Sequence, residues 1–141
     1  MRGVLEPLLA RSPARITIAN RSLDRANALA RDFRSFGKIE VIAYNHLQSK
    51  GYHLIINATA AGLSNQIPPI PAEALNPTGV CYDMMYNLKT ATAFVEWSAA
   101  QGVQQSHDGL GMLVEQAAEA FAVWRDVRPE TGQVMSSLRA T

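Results

Sequence analysis

Arg15-Ile16-Thr17-Ile18-Ala19-Asn20-Arg21-Ser22-Leu23-Asp24-Arg25 runs from an apolar, β-branched segment into a polar turn and straight on into a helical pattern. Such a junction is the second strand-to-helix step of a dinucleotide-binding domain. An NAD-binding domain places Asp or Glu at the end of that strand, where the carboxylate bonds the ribose 2′-hydroxyl. This chain places Asn20-Arg21 there, with Arg25 one helical turn on, and an Arg accommodates the 2′-phosphate of NADP. The planar guanidinium fork binds two phosphate oxygens at once. The segment therefore reads as half of an NADP site. The other half, a Gly-rich turn after a first strand, belongs before residue 15, where the sequence offers only Gly3.

Working outward, helical and strand patterns alternate. Residues 2–10 read as a helix closed by Arg11-Ser12-Pro13, and 15–19 as a strand. Residues 23–35 read as a helix with Leu23, Ala26, Ala30 and Phe33 on one face, Ser22 as its N-cap and Gly37 as its stop. A strand at 39–43 and a short helical piece at 45–50 follow. Residues 52–57 are a near-continuous apolar run of the parallel-sheet kind. Residues 60–78 read as a Gly/Pro-rich loop, 80–86 as a strand, 90–101 as a helix and 103–106 as a short strand. The longest helix is 109–126, with Leu110, Leu113, Val114, Ala117, Phe121 and Trp124 as its apolar stripe. Arg128-Pro129 breaks it before a terminal helix at 131–139. The alternation predicts an α/β, Rossmann-like, doubly wound and mostly parallel sheet, truncated at its N-terminus. The whole chain, 1–141, reads as one incomplete NADP-binding domain.

Composition narrows the function classes. The chain has 141 residues, 48% hydrophobic and 18% charged, with a net charge of +1, so nothing marks a nucleic-acid or anionic-membrane binder. Seven of the ten arginines nevertheless fall in residues 1–34, against three acids. A single Cys81 excludes an internal disulfide and a Cys-based metal cluster; within its apolar run it reads as a buried structural thiol. His46, His53 and His107 show no metal-ligand spacing. No signal peptide is evident, and no apolar stretch approaches the ~20 residues of a membrane span. The expected location is cytoplasmic.

Four blocks together resemble the shikimate dehydrogenase family. They are Asn20-Arg21-Ser22-Leu23-Asp24-Arg25, Asn57-Ala58-Thr59-Ala60-Ala61-Gly62, Tyr82-Asp83-Met84-Met85-Tyr86, and Asp108-Gly109-Leu110-Gly111-Met112-Leu113-Val114-Glu115-Gln116-Ala117. They stand in that family's order and spacing. The resemblance covers essentially the whole chain, but only the cofactor-binding, C-terminal half of the enzyme. It implies NADPH-dependent reduction of 3-dehydroshikimate to shikimate, with the catalytic Lys–Asp pair in an N-terminal domain that this sequence does not contain. Lys38, Lys50 and Lys89 match none of the catalytic context, so the chain alone is expected to be inactive.

The resemblance also implies roles. Asn20, Arg21, Ser22 and Arg25 become the 2′-phosphate clamp. Thr59, Met84, Gly109 and Met112 become cofactor contacts, and Tyr86 and Gln116 reach toward the substrate. Plainer readings exist: surface arginines, a strand-end turn at Thr59, core packing at Met84, a turn at Gly109 and Gly111. Gln116 sits amid Met112, Ala117, Ala120 and Val123 and reads as a buried amide in need of partners, with an exposed helix position as the plainer reading. Asp108 reads as the N-cap of the long helix. Two other function classes compete: a non-catalytic nucleotide-binding module, and a different dehydrogenase-class domain of glutamyl-tRNA reductase type, against which the third and fourth blocks argue. With the first strand absent, 15–19 and 53–57 would each expose an apolar edge able to template self-association.

Overall fold

The computed structural model describes residues 2–47, 51–59 and 66–140. The chain forms two compact units, one comprising Met1–Lys50 with Pro69–Ala74, the other Gly51–Pro68 with Leu75–Thr141.

In the first unit, α1 (Arg2–Ala10) leads to β1 (Ile16–Ala19), α2 (Leu23–Asp32), β2 (Ile39–Ile42) and a 3₁₀ turn, Tyr44–His46. The two strands pair in parallel, from Ile16 opposite Ile39 to Ala19 opposite Ile42. Both strands therefore leave the sheet at the same edge. Leu5 of α1, Ile18 of β1 and Ala26 of α2 form the core, flanked by Ile16, Leu29, Phe33, Ile39 and Val41. Fully burying a side chain such as Leu5 contributes about 1.5–3 kcal/mol. The α2 boundary follows local chemistry. Ser22, in extended conformation, caps the helix and accepts the Arg25 N–H, as expected of a hydroxyl residue at that position.

The second unit holds β3 (Tyr52–Asn57), β4 (Leu75–Asp83) and β5 (Gln105–His107), with α3 (Ala93–Ala100), α4 (Leu110–Arg125) and α5 (Thr131–Arg139). The order is β3-β4-β5, all parallel. The parallel strands and alternating helices match the expected α/β architecture, the strands being hydrogen-bonded as a pair and as a trio. Phe94, Val103, Leu110, Val114, Ala118 and Cys81 are buried here.

Three expectations need correction. The loop expected at 60–78 ends early, because β4 begins at Leu75. The turn residues Pro77 and Gly79 hid this strand. The Asn76 side chain accepts the Thr78 N–H, a local turn bond, and the pairing register shifts between Tyr52 and Leu54. A Cβ at Gly79 would press on the Tyr52 and His53 carbonyls, so only glycine lets the strands approach at this irregularity. Second, β4 stops at Asp83, not at 86. Third, α4 buries Leu110, Val114 and Ala118, an i, i+4 seam, while Leu113, Phe121 and Trp124 are exposed and so is Ala117. Apolar residues on every side of this helix left periodicity unable to choose the seam. Loop positions Ala60, Ala61 and Gly62, and Lys50, lie outside the described residues.

Candidate functional site

The first cluster stands where β1 runs out. Asn20 turns the chain, its side-chain oxygen accepting the Ser22 N–H at 3.3 Å. Arg21 and Arg25 follow, both exposed. Two other arginines of this unit meet acids, Arg2 with Asp32 and Arg15 with Glu40, whereas Arg11, Arg31 and Arg34 form no such ion pair among the described residues and do not stand at a strand end. Among the described residues neither Arg21 nor Arg25 has a carboxylate partner. Two unmatched guanidinium groups thus flank the start of a helix whose dipole itself favours negative charge. That is a place for a multiply charged anion.

The second cluster lies at the carboxyl ends of β3 and β4 and centres on two residues to which the sequence reading gave no role. Asn57 and Asp83 are buried, Asp83 completely. Asn57 Nδ2 donates to Asp83 Oδ1 at 3.1 Å. The same oxygen accepts the Met85 N–H at 3.1 Å, and Thr92 Oγ1 donates to Asp83 Oδ2 at 2.7 Å. Thr92 also caps α3 by accepting the Val95 N–H. Asn57 Oδ1 accepts from the Thr59 N–H and from Thr59 Oγ1, at 3.1 and 2.8 Å. The Asn57 carbonyl accepts the Met84 N–H, and the Met85 carbonyl accepts the Gly109 N–H, both at 2.9 Å. One continuous network therefore fixes Thr59, Met84 and Gly109 in a single place. A buried carboxylate is retained only where donors satisfy it. A polar Asp directly after the apolar run Val80–Tyr82 was the available signal.

Gly109 owes its identity to this contact. A Cβ there would overlap the Met84 carbonyl, whereas one at Gly111 would meet nothing. Gly109, not Asp108, is the N-cap of α4. Asp108 Oδ1 still accepts the Leu110 N–H at 3.2 Å, but its main partner is Arg139 of α5, bonded through both oxygens at 2.9 and 2.5 Å. That pairing raises the Arg139 pKa. A cleft of roughly 510 Å³ opens beside this pair, lined by Tyr82, His107, Met112 and Met135 among others. Burial pushes the Tyr82 phenol up and the Cys81 thiol up.

Tyr86, past the end of β4, is exposed. Gln116 is exposed as well, so the buried amide read from its neighbours is corrected: the seam of α4 lies on another face. Among the described residues no cluster of His, Cys, Asp and Glu could hold a metal ion, and no helix is long and apolar enough to cross a membrane.

The model of the shikimate 5′-dehydrogenase C-terminal domain matches residues 109–139. The NADP-dependent shikimate dehydrogenase of Thioalkalivibrio sulfidiphilus is 52% identical over 139 residues, which is 99% of this chain and 50% of that protein. The chain matches the C-terminal half of the shikimate dehydrogenases. It spans about half the length of these relatives. Among solved structures, an Ael1 enzyme from Pseudomonas putida is 39% identical with a TM-score of 0.86, covering 96% of this chain and 49% of that one. Shikimate 5-dehydrogenase from Thermus thermophilus, solved with NADP(H) and shikimate, is 26% identical with a TM-score of 0.76, over 96% and 49% of the two chains.

Proposed function

We propose that this chain is the cofactor-holding half of an NADP-dependent shikimate dehydrogenase, an oxidoreductase that interconverts 3-dehydroshikimate and shikimate in the cytoplasm. The observation that carries the reading is the Asn20-Arg21-Ser22-Leu23-Asp24-Arg25 junction. Two arginines without carboxylate partners stand at a capped helix start, where an NAD site would hold an acid. A 2′-phosphate fits this donor set. Asn20 and Ser22 would complete its hydrogen bonds. Thr59, Met84, Gly109 and Met112 would meet the nicotinamide end, with the Met side chains excluding water. Tyr86 and Gln116, both exposed, would offer hydrogen bonds to substrate hydroxyls. The cofactor supplies the hydride. A lysine outside this chain would move the proton at the substrate oxygen, a service general acid–base groups perform for about 10²–10⁴-fold.

The test is binding and turnover on the purified chain. NADPH is expected to bind at least tenfold more tightly than NADH, since two charge-assisted contacts are worth about 1.5–3 kcal/mol each. Arg21→Ala should remove most of that preference. Equal affinities in the unaltered chain would overturn the clamp. Shikimate-dependent NADPH production by the 141-residue chain is expected to be absent, and its appearance would place the catalytic groups among these residues. Because the chain covers half of its relatives, a nucleotide-binding module with no reaction of its own is the second reading. Turnover on adding the N-terminal half of a relative would reject it.

A further inference from the structure

We propose that Tyr44 is the platform for the purine base of the nucleotide whose 2′-phosphate lies on Arg21 and Arg25. The inference rests on the clamp reading above and adds to it the residue that recognises the base.

The parallel register places Ala19 opposite Ile42. The turn that carries Arg21 and the 3₁₀ turn that begins at Tyr44 therefore leave the same sheet edge side by side. The Tyr44 phenol is close enough to feel the Arg21 charge, which lowers its pKa against the larger upward push of burial. Tyr44 is half-buried, so part of it meets the protein while part stays open. Among the described residues its hydroxyl has no hydrogen-bond partner, so no internal bond accounts for a tyrosine here. A planar, partly open aromatic ring beside an unmatched arginine fits one chemistry well. In a 2′-phosphorylated adenosine, the phosphate-bearing ribose carbon is bonded to the carbon that carries the base. A phosphate on Arg21 therefore brings its purine within reach of the neighbouring ring. Stacking on an aromatic face is tolerant of base identity and contributes substantially to affinity.

The experiment titrates the chain with 2′,5′-ADP and with 5′-ADP, comparing the unaltered protein with Tyr44→Phe, Tyr44→Leu and Arg21→Ala, each checked for an unchanged far-ultraviolet circular dichroism spectrum. Tyr44→Leu keeps apolar volume but removes the aromatic face. It should weaken 2′,5′-ADP about tenfold, within the range expected for one base–aromatic stack. Tyr44→Phe should stay within about twofold, because the stack needs the ring and not the hydroxyl. The ratio of the two ligands' affinities should be unchanged in Tyr44→Leu and should collapse in Arg21→Ala. Binding that responds to Arg21 but not to Tyr44→Leu would overturn the platform and leave the clamp standing. A Tyr44→Leu loss confined to the 2′-phosphate would also overturn it, since Tyr44 would then act only through Arg21. No binding of 2′,5′-ADP by the unaltered chain would overturn the clamp and the platform with it.

Discussion

At the scale of single residues, the two glycines that open α4 separate cleanly. Gly109 has no room for a side chain against the Met84 carbonyl, while Gly111 faces open space. Gly109→Ala must displace backbone and should cost about 1–3 kcal/mol, as overpacking does. Gly111→Ala lies inside the first turn of α4 and should stabilise by about 0.5–1 kcal/mol through helix propensity. Thermal melts of the pair check both, and the opposite sign for either variant would contradict the contact. Asp83 gives a larger effect. Asp83→Ala strips the acceptor from Asn57, Met85 and Thr92 at once. Orphaned buried donors cost about 1–3 kcal/mol each, so a loss of about 3–5 kcal/mol is expected in denaturant titration. A loss below about 1 kcal/mol would mean that the network does not hold the strand ends. Cys81 is buried and its thiol is pushed up. It therefore stays protonated at neutral pH, and a thiol reagent should modify it only as the chain unfolds.

At the scale of elements, most of the order from α1 to α5 was legible because local signals agreed. The Ser22 cap, the apolar run at 52–57 and the break at Arg128-Pro129 each mark a boundary by their own chemistry. The early part of β4 was not legible, because Asn76-Pro77-Thr78-Gly79 carries turn chemistry and falls in the irregularity between the Tyr52–Leu75 and Leu54–Val80 pairs. Packing, not period, also selected the seam of α4. The candidate site divides the same way. Arg21 and Arg25 declare themselves by charge at a strand end. Asn57 and Asp83 become visible as a pair only when β3 and β4 lie side by side.

At the scale of the whole molecule, two features favour contact between copies. Among the described residues β1 hydrogen-bonds only to β2 within its sheet, and β3 only to β4. Val123, Trp124 and Val127 are exposed, Trp124 by 81%. Open strand edges and apolar side chains in water both promote pairing with another chain. The expected result is a mass that rises with concentration in light scattering; a constant monomer mass with one sharp melt would overturn this expectation. The clasp of Asp108 by Arg139, residues 31 apart in sequence, carries a consequence for descent. Removing Arg139 strands a nearly buried acid, whereas half of the Arg139 side chain is already in water. Losing the arginine alone should therefore cost more than losing both, by about 1–2 kcal/mol. Along a lineage the arginine should then not be lost while the acid remains. The tolerated intermediate would be the one in which the acid goes first.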